Sequence, residues 1–381
     1  MATALVVGGT GPTGPYIVNG LIKRGYKVTV LHGGFHEAEF DEPVEHIHTD
    51  PHFKETLEEG VGDRSWWDLI VFTYGRLRIG IEFAKGRTGR FIGVGTVDGV
   101  AKPSDPRWGL LGRPFNVRED NLVAENDLEN AKMGARIAEA REGLFQAHRE
   151  GHYNATYLGF SVIYGPRAQA PREWLVIRRI LDGRKRFMIA DGGVTVLHRG
   201  YAENVAHGLL LAVDKPDMAA GKDFCVLDQR QFTVRQRIEA IAKYMGHEWE
   251  MVDMPWEFAI PAQLNSMRNK SPWVRNASRI EAELGYRDVV PAEAALKKTV
   301  DWILENRPER GGEVEAQLAD PFDYEKEDRI LDAWERVRGQ MQSEMKGIDY
   351  QMATPAHAYR HPKTPGEAWH PPGEAAPQEK R

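Results

Sequence analysis

Three glycines spaced three residues apart, Gly8, Gly11 and Gly14, follow an apolar run ending in Val6-Val7 and precede a stretch of helical periodicity that starts at Tyr16. Each position has a mechanical use. Gly8 permits a tight turn, Gly11 lets the main chain approach a diphosphate, and Gly14 lets a helix lie close on a strand. Pro12 and Thr13 complete the turn, and the free amides and positive end of the following helix would hold the anion. Gly8, Gly11, Pro12, Thr13 and Gly14 together predict a site for the diphosphate of a dinucleotide.

Groups able to move a proton beside such a ligand are fewer. Tyr74 closes the run Asp68-Leu69-Ile70-Val71-Phe72-Thr73-Tyr74, past the carboxyl end of an expected strand, where open α/β sheets bind ligands. Tyr164 has a similar position after residues 156–160, and for both the competing role is packing with a hydrogen-bonded hydroxyl. His32, His36, His46, His48 and His52 crowd one region, yet no pair has the H-x-x-x-H spacing of ligands on a helix. No metal site is expected from that spacing. His32 or His36 could instead touch a phosphate, and Arg167 and Arg172 would suit a carboxylate or phosphate. Asp98 and Asp105 read as solvated loop residues.

These residues need a frame, and residues 4–7, 27–31, 46–48, 69–72, 91–94 and 156–160 are short apolar runs with a helix at 16–24 between the first two. Such alternation is the mark of a parallel sheet with crossover helices. Residues 1–163 read as the dinucleotide-binding domain, completed by segments returning from the C-terminal half. Residues 164–309 read as a substrate lobe, with helices at 174–182, 202–213 and 234–245 and a strand at 224–227. Trp174, Trp249, Trp256, Trp273 and Phe258 would favour an aromatic or apolar substrate if they line its pocket, and otherwise pack the core. Residues 310–381 form a helical arm, at 324–346, and a proline-rich tail too polar to fold alone.

Composition narrows the partners. A formal net charge of -6 gives no global basic excess, so neither DNA nor an acidic membrane is expected as a partner. Cys225 is the single cysteine, which excludes an intrachain disulfide, and no apolar run reaches the roughly 18 residues of a membrane span. The opening residues lack the charged start of a signal peptide. A cytoplasmic, reducing location is the expectation.

The sequence resembles the extended short-chain dehydrogenase/reductase family, the NAD-dependent epimerases and dehydratases, over residues 3–305. The resemblance rests on the glycine turn, Val28-Thr29-Val30-Leu31, residues 91–96, Ile163-Tyr164-Gly165-Pro166-Arg167 and Tyr201-Ala202-Glu203-Asn204-Val205-Ala206. Its nearest flavour is that of atypical members such as the chloroplast stem-loop RNA-binding proteins. It implies an α/β fold: a Rossmann-type doubly wound parallel sheet with a smaller C-terminal substrate lobe, here followed by the helical arm. The cofactor would be NAD or NADP. Asp50 matches an aspartate near the adenine, and His32 and Gly33 stand where an aspartate would select NAD and an arginine NADP, so the preference stays open.

For catalysis the family uses a serine or threonine with a Y-x-x-x-K pair, and Thr96 and Lys132 match the first and last of these. Leu128 stands in place of the tyrosine, and no tyrosine lies between Tyr74 and Tyr153. Three readings follow from that departure. The chain is an NAD(P)-dependent oxidoreductase that takes its proton from Lys132, water, Tyr74 or Tyr164, or an epimerase or isomerase with tightly held cofactor. Otherwise it is a non-catalytic dinucleotide-binding regulatory or RNA-associated protein. In either enzymatic reading the partner is a small molecule with a hydroxyl or carbonyl. The family also implies a homodimer. The helix at 127–148 and the stripe Ile330, Trp334, Val337 and Met341 on the arm are its expected surfaces.

Overall fold

The computed structural model describes residues 1–96, 104–105, 110–111, 131–264, 272–349 and 365. Its strands are β1 (Ala2–Val7), β2 (Tyr26–His32), β3 (Glu45–His48), β4 (Leu69–Phe72), β5 (Arg90–Thr96), β6 (Ser104–Asp105), β7 (Leu110–Leu111), β8 (Asn154–Phe160), β9 (Val162–Tyr164), β10 (Arg186–Ala190), β11 (Arg199–Tyr201), β12 (Lys222–Val226) and β13 (Glu250–Met254). The helices of its first half are α1 (Gly14–Ile22), α2 (Lys54–Val61), α3 (Leu77–Ala84), α4 (Ala131–Arg149) and α5 (Trp174–Leu181). Then come α6 (Ala202–Asp214), α7 (Pro216–Ala219), α8 (Val234–Tyr244), α9 (Ala292–Glu305), α10 (Glu313–Leu318) and α11 (Tyr324–Glu344).

Alternate residues of the central strands face opposite sides, and both sides are apolar, so the sheet must be covered twice. Val6, Val30, Val71, Ile92 and Leu158 meet Ile17, Val18 and Leu21 of α1 and Val205, Leu209 and Leu210 of α6. On the other face Leu5, Leu31, Ile70, Phe72 and Phe91 meet Leu57 of α2, Ile81 and Phe83 of α3 and Leu144 of α4. The result is a seven-stranded sheet in the order β12-β8-β5-β4-β1-β2-β3, parallel throughout. This is the doubly wound α/β fold expected from the sequence. Strand order reverses beside β1, which opens a crevice at the carboxyl ends of β1 and β4. β12 is the strand that returns from the C-terminal half.

A second core belongs to the lobe, where Trp174 and Ile177 of α5, Phe187 and Ile189 of β10, Ile238 and Ile241 of α8, and Leu296, Val300 and Ile303 of α9 pack together. Helix α9 is not among the expected elements, although its apolar residues have helical spacing. Trp174 proves to be core, with its indole nitrogen donating to Glu315 at 2.8 Å. Residues Met1–Leu331 form one compact unit and Asp332 onward a second, in which Val337 and Met341 are exposed. The early part of the expected arm therefore lies within the first unit. Among the described residues no helix is long and apolar enough to cross a membrane.

Charged residues fasten that early part. Arg179 is buried, donates to Glu327, and lies 2.9 Å from Asp320, both of which are buried too. Arg178 likewise pairs with Asp182, at 2.7 Å, and with Glu315. Removing one member of a buried pair leaves an uncompensated charge, a larger loss than the pair's own net contribution. Arg179→Met should therefore cost about 3–5 kcal/mol. Arg235→Ala, which breaks the exposed i,i+4 pair with Glu239, should cost less than about 1 kcal/mol. Urea unfolding of the two variants checks the contrast.

Candidate functional site

At the carboxyl end of β1 the chain turns through Gly8, whose φ of 106° is a conformation that glycine adopts freely. A Cβ on Gly14 would lie 2.0 Å from the Gly9 carbonyl oxygen, so α1 touches the turn there and only glycine fits. A Cβ on Gly11 would meet no heavy atom within 4 Å. Gly11 faces open space at the N-terminus of α1, where Thr13 makes no side-chain cap. Amides at an uncapped helix start beside an open glycine can receive an anion.

Around this turn the other expected residues take different places. Tyr74 follows β4, its Cβ beside Gly8; it is half exposed, with its ring edge against His52 at 5.1 Å between centroids. Asp50 is exposed and accepts from the His52 amide at 2.9 Å and the His52 ring at 2.6 Å, and these bonds, the amide first, hold its carboxyl below the usual range. Thr96 ends β5, and its carbonyl accepts the Tyr157 hydroxyl at 3.1 Å. Lys132 lies in the first turn of α4, with its side chain outside the described residues, as are Leu128, Asp98 and the tail.

Tyr164 is a different matter. It is fully buried and donates its hydroxyl to Asp228 at 2.7 Å, while Asp228 also accepts from the Tyr201 amide and from Asn204, each at 2.9 Å. Burial, and then the Asp228 carboxylate, pushes the Tyr164 hydroxyl far above the ordinary tyrosine range. A proton held that tightly in a closed network is a structural one. Tyr164 is withdrawn as a proton donor.

His32 is buried, and burial lowers its pKa. Its Nδ1 accepts from the Gly34 amide at 3.2 Å, and its Nε2 lies 2.9 Å from His46 Nδ1. His36 and His52 lie outside that contact. Arg167, expected near a substrate's anionic end, donates to the Glu37 carbonyl at 2.8 Å and so ties down the loop after β2.

Sequence reasoning missed a small cleft of about 20 Å³ between α5, β11 and α8, where Arg172, Glu173, Arg199 and Arg237 meet the apolar side chains of Val176 and Ile238. Glu173 is buried, which would raise its pKa, but Arg199 at 3.1 Å and Arg237 at 3.0 Å hold it below the usual range. Arg199 and Arg237 thus share the Glu173 carboxylate as a buried, internally paired cluster. Arg172 was singled out from the chain, whereas the others come from separate elements with no common spacing to reveal them.

No family model matches the chain. Among curated proteins it is 24% identical over 166 residues to the uncharacterized protein y4nL of Sinorhizobium fredii, a match that spans 38% of this chain and 45% of that protein. Among solved structures it is similar to the UDP-glucose 4-epimerase of Thermotoga maritima determined with UDP-glucose, at a TM-score of 0.63 and 18% identity over 80% of this chain and 100% of the other. The fold is that of the epimerases and dehydratases. The dTDP-glucose 4,6-dehydratase of Bacillus anthracis, in complex with NAD, gives a TM-score of 0.61 at 17% identity, over 80% of this chain and 97% of its own. DesIV, the dTDP-glucose 4,6-dehydratase of Streptomyces venezuelae with NAD bound, gives 0.62 at 19%, over 80% and 98%.

The two glycines separate packing from ligand space. Gly14→Ala should destabilise the protein by about 1–3 kcal/mol, because its Cβ meets backbone that cannot retreat. Gly11→Ala should leave the melting temperature within a degree or so of the original, since the added Cβ meets no heavy atom within 4 Å. Thermal unfolding of both variants without ligand decides it.

Proposed function

We propose that the protein is an NAD(P)-dependent oxidoreductase or epimerase that acts on a hydroxyl or carbonyl of a small, anionic organic molecule. The observation that carries this reading is the open space at Gly11 before the uncapped N-terminus of α1, beside a Gly14 that permits no side chain. That space fits a diphosphate, and the similar dehydratases have NAD bound. In this reading the amides between Gly8 and Gly14 hold the diphosphate, those two residues' own N–H groups being taken by the Leu31 and Gly11 carbonyls, Asp50 lies toward the adenine, and Lys132 on α4 holds the nicotinamide ribose. A bound nicotinamide supplies hydride acceptance and return. Thr96 stands at the carboxyl end of β5 to orient the reacting oxygen, and Arg172, half-buried beside the Glu173 cleft, suits the substrate's carboxylate or phosphate.

Proton transfer needs a donor that solvent or substrate can reach, and Tyr74 meets that requirement where Tyr164 does not. Water and Lys132 are the other donors consistent with the sequence. The loss of Tyr164 as a donor, added to Leu128 in the tyrosine position, also favours a second reading, a protein that holds dinucleotide without turning it over.

Calorimetry of the full chain should show NAD or NADP binding that Gly11→Val weakens at least about tenfold while the variant stays folded, because the new side chain fills the diphosphate's space. Unchanged affinity in a folded Gly11→Val variant would place the ligand elsewhere. Lys132→Ala should lower turnover on a responsive substrate about a hundredfold or more with little change in melting temperature. Bound cofactor whose absorbance never changes with any hydroxyl or carbonyl compound would support the non-catalytic reading.

A further inference from the structure

Strand β3 lies at the edge of the sheet and pairs with β2 in parallel, with His48 directly opposite His32 and His46 opposite Val30. His46 and His48 are two residues apart, so they project from one face of β3, the same face as His32 on its neighbour. The loop between the strands returns Glu37 to these rings, held by the Arg167 bond to its carbonyl. Three imidazoles and one carboxylate thereby converge, each offering one atom, with all four atoms within 4.8 Å of one another.

We propose that His32, His46, His48 and Glu37 form a zinc site that staples the edge strand and its loop to the sheet. Zinc–ligand bonds of about 2.0–2.1 Å in a tetrahedron place ligand atoms about 3.3 Å apart. Contacts near that value are 2.9 Å from His32 Nε2 to His46 Nδ1, 3.2 Å from His48 Nε2 to Glu37 Oε1, and 3.4 and 3.8 Å from Glu37 Oε2 to His46 and His32; with one atom from each residue the set spreads to as much as 4.8 Å, so the exposed His48 and Glu37 side chains draw in on the ion. The His32 ring stands nearly perpendicular to both others, at 78° and 90°, so the rings meet by their edges and are not stacked. Nitrogen-rich donors without thiolate select zinc over magnesium or calcium, which take oxygen.

The cluster also has a route for the ion. His32 is buried at its floor, while the side chains of His48 and Glu37 are more than half exposed at its mouth. Binding requires each imidazole to present a lone pair. The proton of His32 moves from Nε2 to Nδ1, the Gly34 amide gives up its bond to Nδ1, and the Gly33-Gly34 segment turns to take up the change. Four protein ligands close the coordination shell, which makes the site structural. The site is built from β2, β3 and the loop between them, so its metal content is tested without dinucleotide.

The test uses the full untagged chain, stripped with chelator and titrated with ZnCl2 and CoCl2. Expected are one zinc per chain, the strong visible bands of four-coordinate cobalt, and a rise in melting temperature on adding zinc. His46→Gln and His48→Gln, both at partly exposed rings, should each weaken zinc binding at least about tenfold and abolish the cobalt bands. His36→Gln and His52→Gln, outside the cluster, should change neither. Absence of stoichiometric zinc, or zinc retained by a folded His46→Gln/His48→Gln double variant, overturns the site. So does zinc lost equally with His36→Gln, or zinc held by the tail histidines.

Discussion

The contact between the start of α1 and the first turn sets the geometry of the whole carboxyl edge. Gly14 and the Gly9 carbonyl are so close that no side chain can separate them, and this nearness fixes both the tilt of α1 and the direction of its free amides. β1 lies inside the sheet with β2 on one side and β4 on the other. Any shift in the seam would therefore be transmitted to Tyr74 on one flank and to His32 on the other. The sheet resists such a shift because it is buried on both faces, and each fully buried Val, Leu or Ile in it contributes roughly 1.5–3 kcal/mol.

The lobe is held by a different force. Its apolar core is smaller, and its outer elements are fastened by guanidinium groups that are themselves buried: Arg179 to Asp320 and Glu327, and Arg199 to Glu173. Such pairs add little net stability against an apolar alternative, but they punish every arrangement in which a partner is missing. That specificity suits long, polar segments such as the one from Arg310 to Leu331, which would otherwise have several ways to lie on the surface. It also draws Arg237 to the same Glu173 carboxylate, at 3.0 Å, so one buried acid ties α5, β11 and α8 together.

Much of this frame was legible in the chain because it depends on local patterns. The glycine turn, the apolar strands and α1 are signalled by spacing over a few residues, and each lies where it was expected. The histidine cluster and the Glu173 cleft depend on register and on long-range packing. His46-Ile47-His48 shows two ligands on one strand face, but their meeting with His32 needs the β2–β3 pairing, and Glu37 needs the return of the loop. A search for helical ligand spacing passes over such a set. Tyr164 failed for a related reason: its place after β8 suggested an open edge, whereas Asp228, from a distant segment, meets its hydroxyl inside the protein.

The tyrosines show what the absence of one at position 128 demands of the rest. A phenol that gives and takes protons near neutral pH needs a cation beside it and contact with the reacting group. Tyr153 donates to the Ile81 carbonyl at 3.2 Å, and burial raises its pKa, as it does that of Tyr164. Tyr157 is buried and donates to the Thr96 carbonyl at 3.1 Å, which positions the end of β5 but leaves its proton engaged with backbone. Tyr153 and Tyr157 fix the main chain, and Tyr164 fixes the Asp228 carboxylate. The phenol at the open end of β4, Tyr74, escapes burial, while Arg76 in the same loop lies over the Phe53 ring at 4.9 Å. Of these four tyrosines Tyr74 is the one that solvent reaches at the carboxyl edge, beside Gly8, so what position 128 lacks is met by the loop after β4 or not by a tyrosine of this group at all.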